Sequence, residues 1–546
     1  MDFKLSPRKA LIEPPDGFVA NGIARSAHSF DPLPIRLLDK VAIDESQKVI
    51  YTDKRTSGHP YFLSWIARNK RRAEIEVQIC EIAHIATLRE QGFTQKLSME
   101  KSDLMVRSYA VDLIATAGKY GASDIHLMMR GTHTDIQFEI QSKLYQFATL
   151  FHAEGNAIAR AIFQGIAQTK AAMFEELAYQ NAQISGSEFP PECRLASCRI
   201  FRGPAFSLGA DGGSFMTIRL QYLSGHQKEA GLPALSFPPR PAGKFALKEM
   251  GYSADQIEKI DLLMNSPSGV VVISGPTGSG KTSTLFQILQ ELARIRPYCR
   301  QVCVEDPVEN PMAWAVQMVI TNAKNDEEVG IEFANLVRGA LRMAPKTLFL
   351  GEIRGPAVAM SVIEAALTGH QAWSTIHAPC PFTIVDRMEL MDQVLLARKC
   401  FCDAEIIRGL IAQRLVPKLC EHCKTSFADG QNNNISSRLI KALRSRGSLE
   451  NVFLFKEGGC EKCNFTGSSG RFAIAEVVVC DEELMADFIN HGTSVARKNY
   501  RARLDADLPI FDQALEKVFS GLIDPRAVEE AIGRISLLPK DATSSI

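Results

Sequence analysis

At 546 residues the chain is long enough for two to four folded units. Its 46% apolar and 23% charged content is that of a globular protein, and the balance of 62 basic against 62 acidic residues argues against a dedicated nucleic-acid binder. No apolar run approaches the roughly 18 residues that span a bilayer. Met1–Gly17 lacks the apolar centre of a signal peptide, so the 13 cysteines are expected to stay reduced in the cytosol.

In chain order, residues 1–105 carry no readable motif and are expected to form an interaction or docking domain. Within them Ser64–Ala86 has the pattern of a surface helix and Thr94–Asp103 that of a polar linker. Residues 106–223 alternate helical stretches with short β-branched runs, which predicts a small α+β domain. Its strands include Ile136–Ile140 and Phe215–Leu220, and Asn156–Ala178 reads as helix. Residues 224–244 hold Pro233, Pro238, Pro239 and Pro241 and read as a linker. From 245 to 415 the pattern is α/β. Val270–Ser274, Gln301–Glu305, Thr347–Ile353 and Ala372–Ile376 are apolar, β-branched runs of the kind buried on both faces of a parallel sheet. Residues 416–472 carry a cysteine cluster and the polar stretch Ala428–Ser437. The last region, 473–546, is largely helical by its spacing over Glu482–Gly533.

Gly275-Pro276-Thr277-Gly278-Ser279-Gly280-Lys281-Thr282, followed by Ser283, fits the phosphate-binding loop G-x4-G-K-[ST] between a predicted strand and a predicted helix. The glycines let backbone N–H groups converge on phosphates, and the helix N-terminus adds its positive end. Lys281 is expected to reach the β- and γ-phosphates of ATP, and the Thr282 hydroxyl to ligate magnesium.

Acidic partners stand at two predicted strand ends, Glu305-Asp306-Pro-Val-Glu309 and Gly351-Glu352-Ile-Arg354. A carboxylate there can hold the metal through water or orient the attacking water; alone, each is equally well a solvated strand end. His370 and His377 flank the next strand and are candidates to read the γ-phosphate or a neighbouring subunit. Cys420-Glu-His-Cys423 and Cys460-Glu-Lys-Cys463 are two C-x2-C knuckles separated by residues 424–459. Together they can offer four thiolates to one tetrahedral zinc ion; a redox pair and metal-free cysteines are the alternatives.

In combination these stretches resemble the secretion-ATPase superfamily of type IV pilus assembly and type II secretion. GPTGSGKT, VEDPVE, LFLGEIR and LTGHQAWSTIH look like its Walker A, Asp, Walker B and His boxes, in order. Gly121-Ala-Ser-Asp124-Ile-His126 resembles a motif of the family's N-terminal half, and Ala412-Gln413-Arg414-Leu415 and Gly470-Arg471 resemble motifs around its cysteine cluster. The resemblance implies a RecA-like P-loop core, a preceding small α+β (PAS-like) domain, an N-terminal docking domain and an inserted zinc-binding subdomain. It further implies a homo-hexameric motor ATPase at the cytoplasmic face of the inner membrane, held there through partners. That motor would use ATP, magnesium and zinc to drive pilus or pseudopilus assembly through a membrane platform protein. The four-cysteine cluster resembles assembly-type members. Lys281, Glu305, Glu352, His370 and His377 are then candidate catalytic residues, with Arg199 and Arg219 resembling arginines that the small domain presents to ATP. Arg338 and Arg342 fall at i and i+4 of one predicted helix.

The chain also departs from the family. Gly355 stands where Asp is usual after Arg354, Ala344-Pro345-Lys346 replaces Asp-Pro-Asp, and Gln180-Asn181-Ala182-Gln183 replaces Gln-Asp-Gly-Arg, which removes one arginine. These departures suggest a divergent branch, such as a type IVb pilus system. Two other classes remain open on the sequence: a nucleic-acid translocase, disfavoured by the neutral charge, and a nucleotide-binding scaffold without turnover.

Overall fold

The computed structural model describes residues 41–538 except 45–46, 58–61, 63–64, 67–68, 70–74, 82–83, 86–87, 89–98, 169–172, 208–211, 225–227, 322, 324 and 428–434. The reading of Met1–Gly17, and parts of those of Ser64–Ala86, Thr94–Asp103, Ser224–Gly243 and Ala428–Ser437, lie outside the described residues. The chain divides into two compact units, 1–112 and 113–546.

In the first unit β1 (Val41–Asp44) and β2 (Val49–Thr52) pair antiparallel, and β3 (Glu76–Ile79) joins β2 in parallel. Val41, Ile43, Ile50, Phe62, Trp65 and Ile66 form its core. Within the expected helix Ser64–Ala86 the segment Glu76–Ile79 is therefore strand, because it finds a ladder partner in β2. Thr94–Asp103 is corrected as well: a helix runs over Met99–Lys119.

The second unit opens with a six-stranded antiparallel sheet in the order β6-β5-β4-β9-β8-β7. These are β4 (Asp124–Met129), β5 (His133–Ile140), β6 (Lys143–Phe151), β7 (Gln180–Ser185), β8 (Leu195–Ala205) and β9 (Gly213–Tyr222). Helix His152–Arg160 continues as a π-helical turn to Ile166 and stops there, short of the expected Ala178. Ala167 is extended, and Gln168 N–H donates to Gln183 O at 2.9 Å, so pairing beside β7 competes successfully with the helix.

The larger sheet has seven strands in the order β12-β11-β13-β14-β10-β15-β18. They are β10 (Gly269–Ser274), β11 (Gln301–Glu305), β12 (Val316–Val319), β13 (Thr347–Glu352), β14 (Gln371–Ile376), β15 (Ile407–Leu419) and β18 (Ser468–Val479). The short pair β16 (Thr425–Ser426) and β17 (Phe453–Leu454) lies between the last two. All neighbours run parallel except β15 and β18. Every residue of β10, β11 and β14 is buried, since helices cover both faces. Residues 415–416 and 472–473, where the sequence suggests subdomain limits, lie inside β15 and β18.

The six-stranded sheet is seated on the core at several points. Tyr179 Oη donates to Val319 O (2.9 Å), Phe206 N–H to Gln317 O (2.8 Å) and Arg342 Nη1 to Asn181 Oδ1 (2.7 Å). Phe201 packs so closely on Gly339 that a Cβ there would stand 2.4 Å from its ring.

Candidate functional site

β10 lies between β14 and β15 and ends in Ser274, so the loop that follows emerges at the carboxyl end of a parallel sheet, where open α/β folds bind ligands. Gly280 (φ +83°) is left-handed and opens the helix Lys281–Ile295. Gly275 cannot carry a side chain, because its Cβ would meet Gln413 O at 2.5 Å. The loop surrounds a cavity of about 530 Å³, lined by Thr277–Ser283 together with Glu305, Asp306, Glu309, Glu352, Arg354, His377 and Arg471.

Lys281 Nζ donates to the carbonyls of Gly275 (2.9 Å) and Pro276 (3.2 Å). Burial lowers its pKa, and the charge of Glu352 and Glu309 partly opposes that. Glu352 ends β13, and a bulge against β14 between Leu350 and Glu352 re-aims it. Its Oε1 meets His377 Nε2 at 2.7 Å and its Oε2 accepts from Arg354 Nε at 2.7 Å. His377 Nδ1 lies 3.0 Å from Gly275 O, which can only accept, so this ring ties the strand-tip carboxylate to the phosphate loop. Glu305 is buried and accepts from Gln317 Nε2 at 2.8 Å; burial pushes its carboxyl up to about 7 against that hydrogen bond.

His370 is elsewhere. It precedes β14, its carbonyl accepts from Gly269 N–H at 3.0 Å, and its Nδ1 meets Thr368 Oγ1 at 3.1 Å. That is the amino end of the parallel sheet. Six strand residues at about 3.3 Å each put it roughly 20 Å from the loop of the same chain.

Arg199 and Arg219 also stand apart from the loop. They are register partners on β8 and β9 and line a second cavity of about 500 Å³ with Asn181, Gln183, Thr217 and Arg342. Arg219 Nε donates to the buried Asp124 Oδ1 at 2.9 Å.

Sequence reasoning did not place Gln413 or Arg471 at the loop. Buried Gln413 donates from Nε2 to Ser279 O (2.7 Å), and its Oε1 accepts from Tyr252 Oη (2.7 Å) and Thr284 Oγ1 (2.8 Å). Its place within Ala412-Gln413-Arg414-Leu415 was the available signal.

The sulfur atoms of Cys420, Cys423, Cys460 and Cys463 lie within 4.8 Å of one another, with Cys420–Cys460 at 3.9 Å and Cys423–Cys463 and Cys460–Cys463 at 3.8 Å. Four thiolates at about 2.3 Å from one tetrahedral zinc stand about 3.8 Å apart, so the residues fit that ion. Desolvation opposes ionisation of Cys463, but N–H groups of Cys460 and Gly467, each 3.2 Å from its sulfur, and the neighbouring thiols of Cys460 and Cys423 outweigh it and lower the thiol's pKa. We expect one zinc per purified chain by elemental analysis, with removal loosening the region from Arg414 to Arg471 while the phosphate loop stays folded. Zinc can contribute on the order of 10 kcal/mol of apparent binding energy. A zinc-free preparation with parent stability and full activity would exclude that structural role.

A phosphate loop at the centre of a mostly parallel sheet, with a strand-tip glutamate held beside it, defines a P-loop ATPase. A family model described as type II/IV secretion system protein matches residues 237–531, and the chain belongs to that family. It is similar to the type IV pilus assembly ATPase PilB of Thermus thermophilus, 26% identical over 440 residues, 80% of this chain but 44% of that protein. It is similar to the type II secretion system protein E of Dickeya dadantii, 26% identical over 417 residues, 75% of this chain and 72% of that one. Among solved structures, the X-ray structure of the Legionella pneumophila ATPase DotB is 22% identical, covers 77% of this chain and 94% of that chain, and has a TM-score of 0.36. Among the described residues no helix is long and apolar enough to cross a membrane.

Proposed function

We propose that the chain is a homo-hexameric motor. It hydrolyses Mg-ATP at the cytoplasmic face of the inner membrane and, through a membrane platform protein, drives assembly of a type IV pilus or a type II secretion pseudopilus. The observation that carries this reading is the incompleteness of the site within one chain. Glu352, His377 and Lys281 gather at the loop, whereas Arg199, Arg219 and Arg342 line a different cavity. A site that needs a second copy suits a ring of heterologous interfaces, in which ATP turnover moves subunits against one another.

In this reading the loop amides and Lys281 hold the phosphates, and Thr282 and Glu305 face the magnesium ion. Glu352 orients the attacking water, and His377 holds Glu352 against the loop. His370, at the other end of the sheet, then acts toward a neighbouring subunit or on packing alone. The relatives' printed names, pilus assembly and type II secretion, support the choice of cargo. The test is replacement of the parent chain by Lys281→Ala in the producing cell. Loss of surface fibres or of a secreted substrate, at unchanged chain level, is expected; undisturbed fibres and secretion would remove the motor reading.

A further inference from the structure

β15 and β18 form an antiparallel hairpin that overhangs the phosphate loop and ends at the cysteine cluster. Cross-strand partners share a face of a sheet, and residues two apart along a strand do too. Gln413 pairs with Ala475, Leu415 with Ala473 and Pro417 with Arg471, so Arg471 lies on the face that carries Gln413 and Leu415. That face touches the loop: Gln413 donates to Ser279 O, and a Cβ on Gly280 would meet Leu415 at 3.2 Å. Arg471 lines the nucleotide cavity with Leu415.

The other cations lining that cavity are engaged. Lys281 donates to two loop carbonyls, and Arg354 Nε donates to Glu352. Among the described residues Arg471 makes no ion pair and no side-chain hydrogen bond, and it is exposed to the cavity and solvent. It therefore needs no partner to be broken before it meets an anion. Its strand pair reaches the helix end of the loop through Leu415 at Gly280, whereas His377, which holds Glu352, contacts the strand end at Gly275 O.

The far end of the same hairpin is built into the cluster. Gly467 N–H points at Cys463 Sγ (3.2 Å), Cys420 N–H donates to Gly467 O (3.0 Å), and the Ser468 hydroxyl lies within donating distance of Lys418 O (3.0 Å) and Gly470 O (2.9 Å). Three residues separate Gly467 from Arg471, and Gly470, left-handed at φ +121°, lies at the irregularity in the β15–β18 ladder between them.

We infer that Arg471 binds the phosphate nearest the ribose of the bound nucleotide, and that the four-cysteine cluster holds it in position. The inference rests on the phosphate-loop reading above. It makes the cluster a determinant of nucleotide affinity as well as a staple of its own subdomain. A charged hydrogen bond of this kind is worth about ten- to a hundredfold in affinity.

The test is ADP binding by the full-length chain, alongside steady-state hydrolysis and zinc content. Arg471→Ala is expected to weaken ADP about tenfold or more and to raise KM for ATP. It should change kcat less than about threefold and keep one zinc per chain, because the contact is made on the ribose side rather than at the transferred phosphate. Arg471→Lys should recover part of the loss. Replacing Cys460 and Cys463 by Ser is expected to weaken ADP by a similar factor in the parent, but by less than about twofold when Arg471 is already Ala. Parent-like ADP affinity in Arg471→Ala, or losses that add fully in the combined variant, would overturn the inference. Lys281→Ala serves as the reference: if it too binds ADP like the parent, the phosphate-loop reading is what has failed.

Discussion

Lys281→Ala and Glu352→Gln are each expected to abolish ATP hydrolysis, through different steps. Lys281 is the one lysine within the loop, and its ammonium already lies under the Gly275 and Pro276 carbonyls. Removing it takes a charge from the β- and γ-phosphates in ground and transition states alike, so affinity and rate both fall. Glu352→Gln keeps the shape of the strand tip. The amide oxygen can still face His377 or Arg354, which now hold the carboxylate at 2.7 Å each. What disappears is the negative charge that orients water, a loss of at least about 10²–10³ in kcat by analogy with other single electrostatic groups. ATP should still bind to Glu352→Gln. Phosphate release and ATP affinity, measured on both variants, separate the steps. Parent-like turnover by Glu352→Gln would place the water-orienting group elsewhere, with Glu305 the next carboxylate to test.

The parts of this site that sequence revealed are those written locally. Val270–Ser274 and Gln301–Glu305 are buried on both faces and therefore read as unbroken apolar runs, and the structure has β10 and β11 at Gly269–Ser274 and Gln301–Glu305. The glycines and Lys281 are adjacent in sequence because one turn needs all of them. What sequence hid depends on which strand ends meet. His370 and His377 flank one strand and look equivalent, but in a parallel sheet the residue before a strand and the residue after it lie at opposite ends. Arg471 is far from the loop in sequence and reaches it because β18 returns beside β15, a pairing that no local pattern announces. The helix read to Ala178 stops at Ile166 for a similar reason, since Gln168 finds a partner on β7.

The second large effect is expected at Arg199 and Arg219. They stand opposite one another on β8 and β9, with Arg342 lining the same cavity. Like charges directly opposite in an antiparallel pair destabilise it, and Asp124 offsets only Arg219, so the pair is a candidate to bind an anion. Among the described residues of one chain the only carboxylate bonded to either is Asp124, which is itself buried and committed to Arg219. Phosphoryl transfer spreads charge over the γ-oxygens, and an arginine delivered there is typically worth about 10³–10⁵ in rate. By the resemblance, Gln183 stands where the family usually has a further arginine, so these two are expected to carry more of that task. The competing account is surface ion pairing worth about 0–1 kcal/mol each. Arg199→Ala is expected to lower kcat at least about a hundredfold with a far smaller change in ATP affinity, because the contact forms mainly in the transition state. Arg219→Ala should do the same, but it also leaves buried Asp124 without its partner, so its melting temperature must be read beside its rate, with Arg219→Lys as the control. Because neither arginine lines its own chain's loop, mixing Arg199→Ala with Lys281→Ala should restore part of the activity at interfaces that regain both groups. Wild-type kcat at both positions would leave the six-stranded domain with no part in the chemistry, and a slow Arg199→Ala that mixing fails to rescue would place the arginine on its own chain's nucleotide after domain closure.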